Sequence, residues 1–171
     1  FLFLCFLRGI SFVFMQIFFY IAVINMNFAT AITLTFSSPI FIVVLSMLLL
    51  KERIGFFRWS AIFIGFSGVL IIMNPRSELF SFFSIFPLLA ALCWAISNIV
   101  LKFIPDDISS VKINFYSLNF SYLTSIIILL LTNDFSSVQG SIHWLLMILI
   151  GILGGVASIL FSYAYRVISP S

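Results

Sequence analysis

The sequence predicts an all-α membrane protein, a bundle of six transmembrane helices. Hydrophobic residues make up 63% of the 171-residue chain and charged residues 8%, which is more apolar surface than a water-soluble domain of this size hides in its core. Six apolar stretches approach the ~20 helical residues that a hydrocarbon core of ~30 Å requires. The charges fall between these stretches, which we place at about 9–27, 29–50, 56–74, 82–104, 112–132 and 144–168.

Turn residues and interfacial aromatic residues mark the ends of these helices in chain order. Asn74-Pro75 closes the third helix, because proline cannot continue a helix and restrains the residue before it. Pro105-Asp106-Asp107 ends the fourth helix, and Asn133-Asp134 ends the fifth. Trp59 and Trp144 lie near helix ends, where an indole ring favours the membrane interface.

Basic residues predict the orientation of the bundle. If the first helix runs outward from Arg8, almost all of the basic residues lie on the inner side, and Arg76 alone lies outside. Short cytoplasmic loops carry an excess of Lys and Arg, so the start of the first visible helix is predicted on the cytoplasmic side. The residues on the inner side are then Arg8, Lys51, Arg53, Arg58, Lys102, Lys112 and Arg166.

The chemistry of the chain argues against several classes of function. No Asp, Glu, Lys, Arg or His lies at the middle of a predicted helix, where proton- or sodium-driven carriers commonly place one. A single His and no buried carboxylate predict no metal site, and Cys5 and Cys93 predict neither a disulfide nor a metal site. We expect no cofactor, no nucleic-acid partner and no enzymatic activity.

One motif is typical of an enzyme. Gly65-Phe66-Ser67-Gly68 matches the Gly-x-Ser-Gly pattern of rhomboid intramembrane proteases, and His143 is the one candidate for its base. His143 precedes the sixth helix at the outer boundary, however, and no oxyanion element accompanies the pair. We interpret the motif as a chance match.

Uncharged polar residues recur at helical spacing on five of the predicted helices, which gives each of them a polar face. Large amides are costly to bury unpaired, and this favours a hydrated cavity between the helices. The alternative is structural, because Ser and Thr bond to carbonyls of their own helix and amides link neighbouring helices. The polar faces comprise Gln16 and Tyr20; Thr30, Thr33 and Ser37 with Ser38-Pro39; Trp94, Asn98 and Lys102; Lys112, Tyr116 and Asn119; Ser158, Ser162 and Tyr165.

Small residues four positions apart predict close helix packing. Gly151 and Gly155 have this spacing in the sixth helix, and Ala61 and Gly65 have it in the third. We interpret these pairs as contacts inside the bundle and leave a homodimer open.

The segment 29–54 carries the most specific pattern, because Ala29-Thr30-Ala31 is followed by Ser38-Pro39 and then by Lys51-Glu52-Arg53. It resembles the EamA-type domain of the drug/metabolite transporter superfamily, which has a small-residue start, a mid-helix Pro and a Glu that closes the fourth helix. Three other segments are similar to the family's third, fifth and sixth helices, namely Arg8-Gly9, 61–72 and 91–96.

This resemblance implies ten helices in two inverted five-helix repeats. The chain is then expected to be part of a longer protein, covering helices three to eight, with the ninth truncated. Residues 1–78 would hold the remainder of the first repeat, helices three to five. Residues 79–171 would hold the start of the second repeat, helices six to eight.

The resemblance also implies a multi-pass carrier of the bacterial inner membrane, embedded in the lipid bilayer. It would move a small organic metabolite, such as an amino acid derivative, by alternating access around a midplane cavity. Among such carriers the general likeness is to those for S-adenosylmethionine uptake. The alternative is a non-transporting membrane scaffold or sensor. Pro39 and Glu52 are expected to be structural or gating residues. The expected cavity residues are Gln16, Tyr20, Ser37, Ser38, Trp94, Asn98, Asn119 and Tyr163.

Overall fold

The protein, for which we obtained a computed structural model, is described at residues 1–51, 55–73, 82–105, 107–132 and 141–167. Every regular element in these residues is helical, which confirms the all-α class. The α-helices are α1 Leu2–Asn25, α2 Phe28–Thr35, α3 Ser38–Leu45, α4 Phe56–Met73, α5 Ile85–Lys102, α6 Ser110–Thr132 and α7 Ser141–Val167. A π-helical turn, Ser46–Leu50, extends α3, and a 3₁₀ turn, Phe82–Ser84, precedes α5.

Five segments are long and apolar enough to cross a membrane, and each matches a predicted span. They are Leu2–Asn25, Phe28–Leu50, Phe82–Lys102, Ser110–Thr132 and Ile142–Ala164. The remaining predicted span corresponds to α4, whose described apolar stretch is the shorter Trp59–Gly68. The largest difference is at the start, because α1 begins at Leu2 instead of near residue 9.

The second span is a broken helix. The Asn27 side chain accepts a hydrogen bond from the Ala29 backbone N–H (3.0 Å) and so begins α2. The helix stops at Thr35 because Pro39 has no N–H to donate to the Thr35 carbonyl four residues earlier. Pro39 instead occupies the first turn of α3, where proline is tolerated. Lys51, with φ of 53°, follows the span in the left-handed region that commonly ends helices.

The described contacts divide the chain into two compact units. The first unit is Ile10–Val100, and the second unit combines Phe1–Gly9 with Leu101–Ser171. This division rests on contacts, whereas the division into repeats at residues 78 and 79 rests on sequence resemblance and stays a prediction.

In the first unit, aromatic rings join α1 to α5. The Phe12 and Trp94 rings meet edge to face with centroids 5.6 Å apart, and those of Phe18 and Phe86 are 6.3 Å apart. Both distances lie in the range of favourable aromatic pairs. Most buried side chains of α5 in this unit are small or β-branched, and Pro87 and Asn98 are buried with them. The small and β-branched ones are Ala90, Ala91, Ala95, Ser97, Ile99 and Val100.

In the second unit, α6 packs against the first residues of α1. The rings of Phe1 and Tyr116 are 5.5 Å apart, as are those of Phe6 and Phe120. A buried apolar cluster continues beneath them, formed by Cys5, Leu101, Ile104 and Ile113.

At Gly9, α1 and α6 approach closely. A Cβ atom built at Gly9 would lie 2.7 Å from the Ser117 carbonyl oxygen and 2.9 Å from the Phe120 Cβ atom. The Ser121 hydroxyl donates a 2.7 Å hydrogen bond to the Gly9 carbonyl. The glycines predicted to pack closely, Gly65, Gly151 and Gly155, behave differently: no described atom beyond the backbone of their own helix and their chain neighbours lies within 4 Å of a Cβ built there. The same is true of Gly154.

Gly9→Ala is expected to lower the free energy of unfolding by about 1–3 kcal/mol, because the added methyl group meets backbone that cannot move aside. The measurement is the unfolding midpoint of the full-length protein in detergent. Gly154→Ala is the matched control. It adds the same methyl group where the described residues leave open space, and it is expected to leave stability unchanged or raise it by up to about 1 kcal/mol. Equal midpoints for the two variants would contradict the close approach at Gly9.

Candidate functional site

The first unit contains a cavity of about 320 Å³, within the range of small-molecule sites. Four elements contribute to it: α1, the end of α2, the start of α3 and α5. The lining residues are Met15, Gln16, Phe19, Thr35, Phe36, Ser38, Ala90, Ala91 and Trp94.

The middle of α1 forms one wall of this cavity. Met15, Gln16 and Phe19 share a face because residues three and four apart lie on the same side of a helix. Opposite them α5 presents Ala90 and Ala91, whose small side chains are buried and leave the space open.

The break between α2 and α3 forms another side of the cavity. Thr35 is the last residue of α2, Phe36 lies in the break and Ser38 begins α3. Irregular backbone is tolerated at membrane depth where it lines a cavity or is covered by protein. Pro39 thus causes the break between α2 and α3, and the cavity lies beside this break.

Two lining side chains have hydrogen-bonding groups that the protein does not use. Within the described residues, the Gln16 amide and the Ser38 hydroxyl form no hydrogen bond. The Thr35 hydroxyl, by contrast, donates to the Ile32 carbonyl at 2.6 Å. An unsatisfied polar group in hydrocarbon costs several kcal/mol. Gln16 and Ser38 are therefore placed to bond to water or to a ligand in the cavity.

Three of the predicted cavity residues meet there, namely Gln16, Ser38 and Trp94. Tyr20 lies beside Gln16 in a second hollow of about 450 Å³ along α1. Ser37 and Asn98 belong to the first unit but are buried. The Ser37 hydroxyl donates to the Leu34 carbonyl (2.7 Å), and the Asn98 amide donates to the Trp94 carbonyl (2.8 Å).

The other predicted site residues lie elsewhere. Asn119 and Tyr163 are exposed residues of the second unit, and the Asn119 amide donates to the Phe115 carbonyl at 2.8 Å. Glu52, expected to be a structural or gating residue, lies outside the described residues. Ser67 of the protease-like motif donates to the Phe63 carbonyl at 2.7 Å.

A second polar site was not predicted. Arg8, expected to be a charge flanking the first span, is the seventh residue of α1 and is 2% exposed. Its Nη1 atom donates to Asn114 Oδ1 and its Nη2 atom to Ser162 Oγ, both at 3.0 Å. The hydroxyls of Ser158 and Ser162 donate to the same Asn114 oxygen, at 2.9 and 3.3 Å. We call Arg8, Asn114, Ser158 and Ser162 the Arg8 cluster.

The Arg8 cluster joins α1, α6 and α7 inside the second unit. Asn114 and Ser162, the two residues that Arg8 bonds to, are 106 and 154 positions away from it, so no local spacing could reveal these contacts. A partial signal existed in Asn114, Ser117 and Ser121, which recur at i, i+3 and i+7 and place small polar groups on the face of α6 that meets Gly9.

Comparison with known proteins identifies relatives along the whole chain. The model of the EamA-like transporter family matches residues 1–74 and 81–171. A riboflavin transporter of Vibrio cholerae is 32% identical over 140 residues, 82% of this chain and 46% of that protein. A riboflavin transporter of Rhizobium johnstonii is 40% identical over 72 residues, 42% of this chain and 24% of that protein. An S-adenosylmethionine uptake transporter of Rickettsia conorii is 28% identical over 127 residues, 74% of this chain and 42% of that protein.

The chain thus spans less than half of the length of these curated relatives. No solved structure gives a significant match.

Asn114→Leu is expected to lower the free energy of unfolding by about 1–3 kcal/mol, because it removes the acceptor that a buried guanidinium and two hydroxyls share. In a double-mutant cycle with Arg8→Met, we expect the combined loss to be smaller than the sum of the single losses, by about 0.5–3 kcal/mol. Denaturant unfolding in detergent measures all three variants. Asn119→Leu, which removes an exposed amide of the same helix, is the control. Strictly additive losses would contradict the cluster.

Proposed function

The chain belongs to the EamA-like transporter family, and from this we propose that it forms the substrate-holding part of a membrane carrier for a small organic metabolite. The carrier alternates access to a cavity in the middle of the membrane. No covalent step is involved. The spanning helices and the family support this function, and the cavity of the first unit supports the place where it occurs.

The single observation that carries the proposal is a cavity beside the middle of α1, with hydrogen-bonding groups that form no hydrogen bond to any described residue. Gln16 is the fifteenth of the 24 residues of α1, near the centre of the span. A large amide at that depth is costly unless water or substrate meets it. The broken helix α2–α3 lies at the same cavity, an arrangement that membrane carriers use at their substrate sites.

The lining of the cavity limits the mechanism. None of the nine described residues that line it carries an ionisable side chain, so we propose that substrate binding involves no proton exchange with these residues. We propose that any coupling ion binds elsewhere in the full-length protein. Riboflavin and S-adenosylmethionine, which the relatives' names give as their cargo, are the first substrates to test.

The test is uptake by the full-length protein reconstituted into liposomes. We expect labelled riboflavin, S-adenosylmethionine or another member of a metabolite panel to accumulate above the level of empty liposomes. Ser38→Phe fills the cavity at a half-buried lining position and is expected to abolish this uptake. Thr33→Phe makes a comparable change on α2 outside the lining and is expected to leave uptake intact.

Two outcomes would contradict the proposal. One is a folded wild-type protein that moves no member of the panel, as a scaffold or sensor would behave. The other is wild-type uptake by Ser38→Phe, which would mean that this cavity is not on the substrate's path. The elution profile in size-exclusion chromatography checks that each variant is folded.

A further inference from the structure

Three aromatic side chains line the cavity of the first unit, each from a different element. Phe19 lies on α1, Phe36 lies in the break between α2 and α3, and Trp94 lies on α5. The ring of Trp94 also contacts that of Phe12 edge to face, with ring centroids 5.6 Å apart. Aromatic walls of this kind bind flat ring systems by stacking, whatever the substituents of the ring.

The two available polar groups of the lining match the edge of such a ring. The Gln16 amide presents one acceptor oxygen and one donor nitrogen side by side. Glutamine amides bind the adjacent donor and acceptor atoms of nitrogen heteroaromatic rings in this way, as they do with adenine. The Ser38 hydroxyl, which can donate or accept, adds a third point of attachment.

The uncharged lining disfavours charged groups of a substrate. The nine lining residues in the described part of the chain include no Lys, Arg, Asp, Glu or His. A phosphate or carboxylate group entering this cavity would leave water without a cationic partner, and an ammonium group would do so without an anionic one. The part of the substrate held here is therefore uncharged.

From these three features we propose that the cavity binds the uncharged, planar nitrogen heteroaromatic ring of the substrate. Gln16 and Ser38 bond to the ring edge, and Trp94, Phe19 and Phe36 cover its faces. The charged or flexible part of the substrate extends out of the cavity. This inference rests on the proposed function, because it assigns a substrate class to the same site.

The test is direct binding to the full-length protein in detergent, which needs no transport. Riboflavin is the fluorescent probe, and adenosine competes as a second ring compound. Ribitol and methionine are the ring-free competitors. We expect riboflavin to bind with quenching of its fluorescence, adenosine to displace it, and ribitol and methionine to have no effect at concentrations where adenosine competes fully.

Substitutions of the lining residues test which side chains contact the bound ring. Gln16→Leu removes the amide and keeps the bulk, so the dissociation constant for riboflavin is expected to rise about tenfold. Asn25→Leu makes the same kind of change on the same helix, where the Asn25 amide bonds to the Ile21 carbonyl outside the cavity lining, and is expected to bind normally. Trp94→Leu is expected to weaken binding about tenfold and to reduce quenching, whereas Trp94→Phe keeps most of the affinity. Ser38→Ala provides a second measure of ring-edge contact if Gln16→Leu does not fold.

The two proposals fail in distinguishable ways. Binding of the ring compounds without uptake into liposomes would overturn the carrier and support the ring site. Displacement of riboflavin by ribitol or methionine as strong as by adenosine would overturn the ring site and leave the carrier. Failure of both ring compounds to bind, or wild-type affinity in Gln16→Leu and Ser38→Ala, would also overturn the ring site.

Discussion

Hydrogen bonding in a medium without water determines where the polar side chains of this protein lie. A polar group in hydrocarbon has to find its partner within the protein, and the nearest partner is a carbonyl of its own helix three or four residues earlier. Most of the described Ser, Thr and Asn side chains that form hydrogen bonds use this local solution. They include Thr33, Ser37, Ser60, Ser67, Asn98, Asn119, Thr124 and Thr132. Among the polar side chains that depart from it, two groups are informative: the Arg8 cluster, and Gln16 with Ser38.

The first group forms hydrogen bonds between helices, whereas Gln16 and Ser38 form no hydrogen bond within the described residues. In the Arg8 cluster a guanidinium, an amide and two hydroxyls bond to one another across three helices. Ser162 is the one buried side chain among the described residues of α7, so this cluster is the main polar attachment of α7. Gln16 and Ser38 share a cavity instead and keep their hydrogen-bonding capacity. Hydrogen bonds between helices hold the helices together. Polar side chains without such bonds, next to aromatic rings in a cavity, are suited to bind a ligand.

The sequence predicted the helices well because length and apolar composition alone identify a membrane span. It also placed Gln16, Ser38 and Trp94 among the candidate cavity residues, because helical spacing and a proline signal are local, and these three line one cavity in the structure. It could not separate Gln16 from Asn98 and Asn119. All three are amides at helical spacing, but the shorter Asn side chains bond to carbonyls of their own helices, at Trp94 and Phe115. The Arg8 cluster was missed because Arg8 is more than a hundred residues from the side chains it bonds to, and because the start of α1 was placed too late to put Arg8 inside a helix.

The central claim is that water reaches the Gln16 side chain in the middle of a membrane-spanning helix. The experiment labels a single thiol, introduced as Gln16→Cys into a cysteine-free form of the full-length protein. The reagent is a charged maleimide that does not enter lipid, and the reaction is followed with and without riboflavin. Asn98→Cys, at a buried position of α5, is the reference. We predict that the thiol at position 16 reacts and that riboflavin slows the reaction, while the thiol at position 98 stays unmodified. Reaction of position 16 with a lipid-soluble maleimide alone would contradict the claim, because that side chain would then face acyl chains.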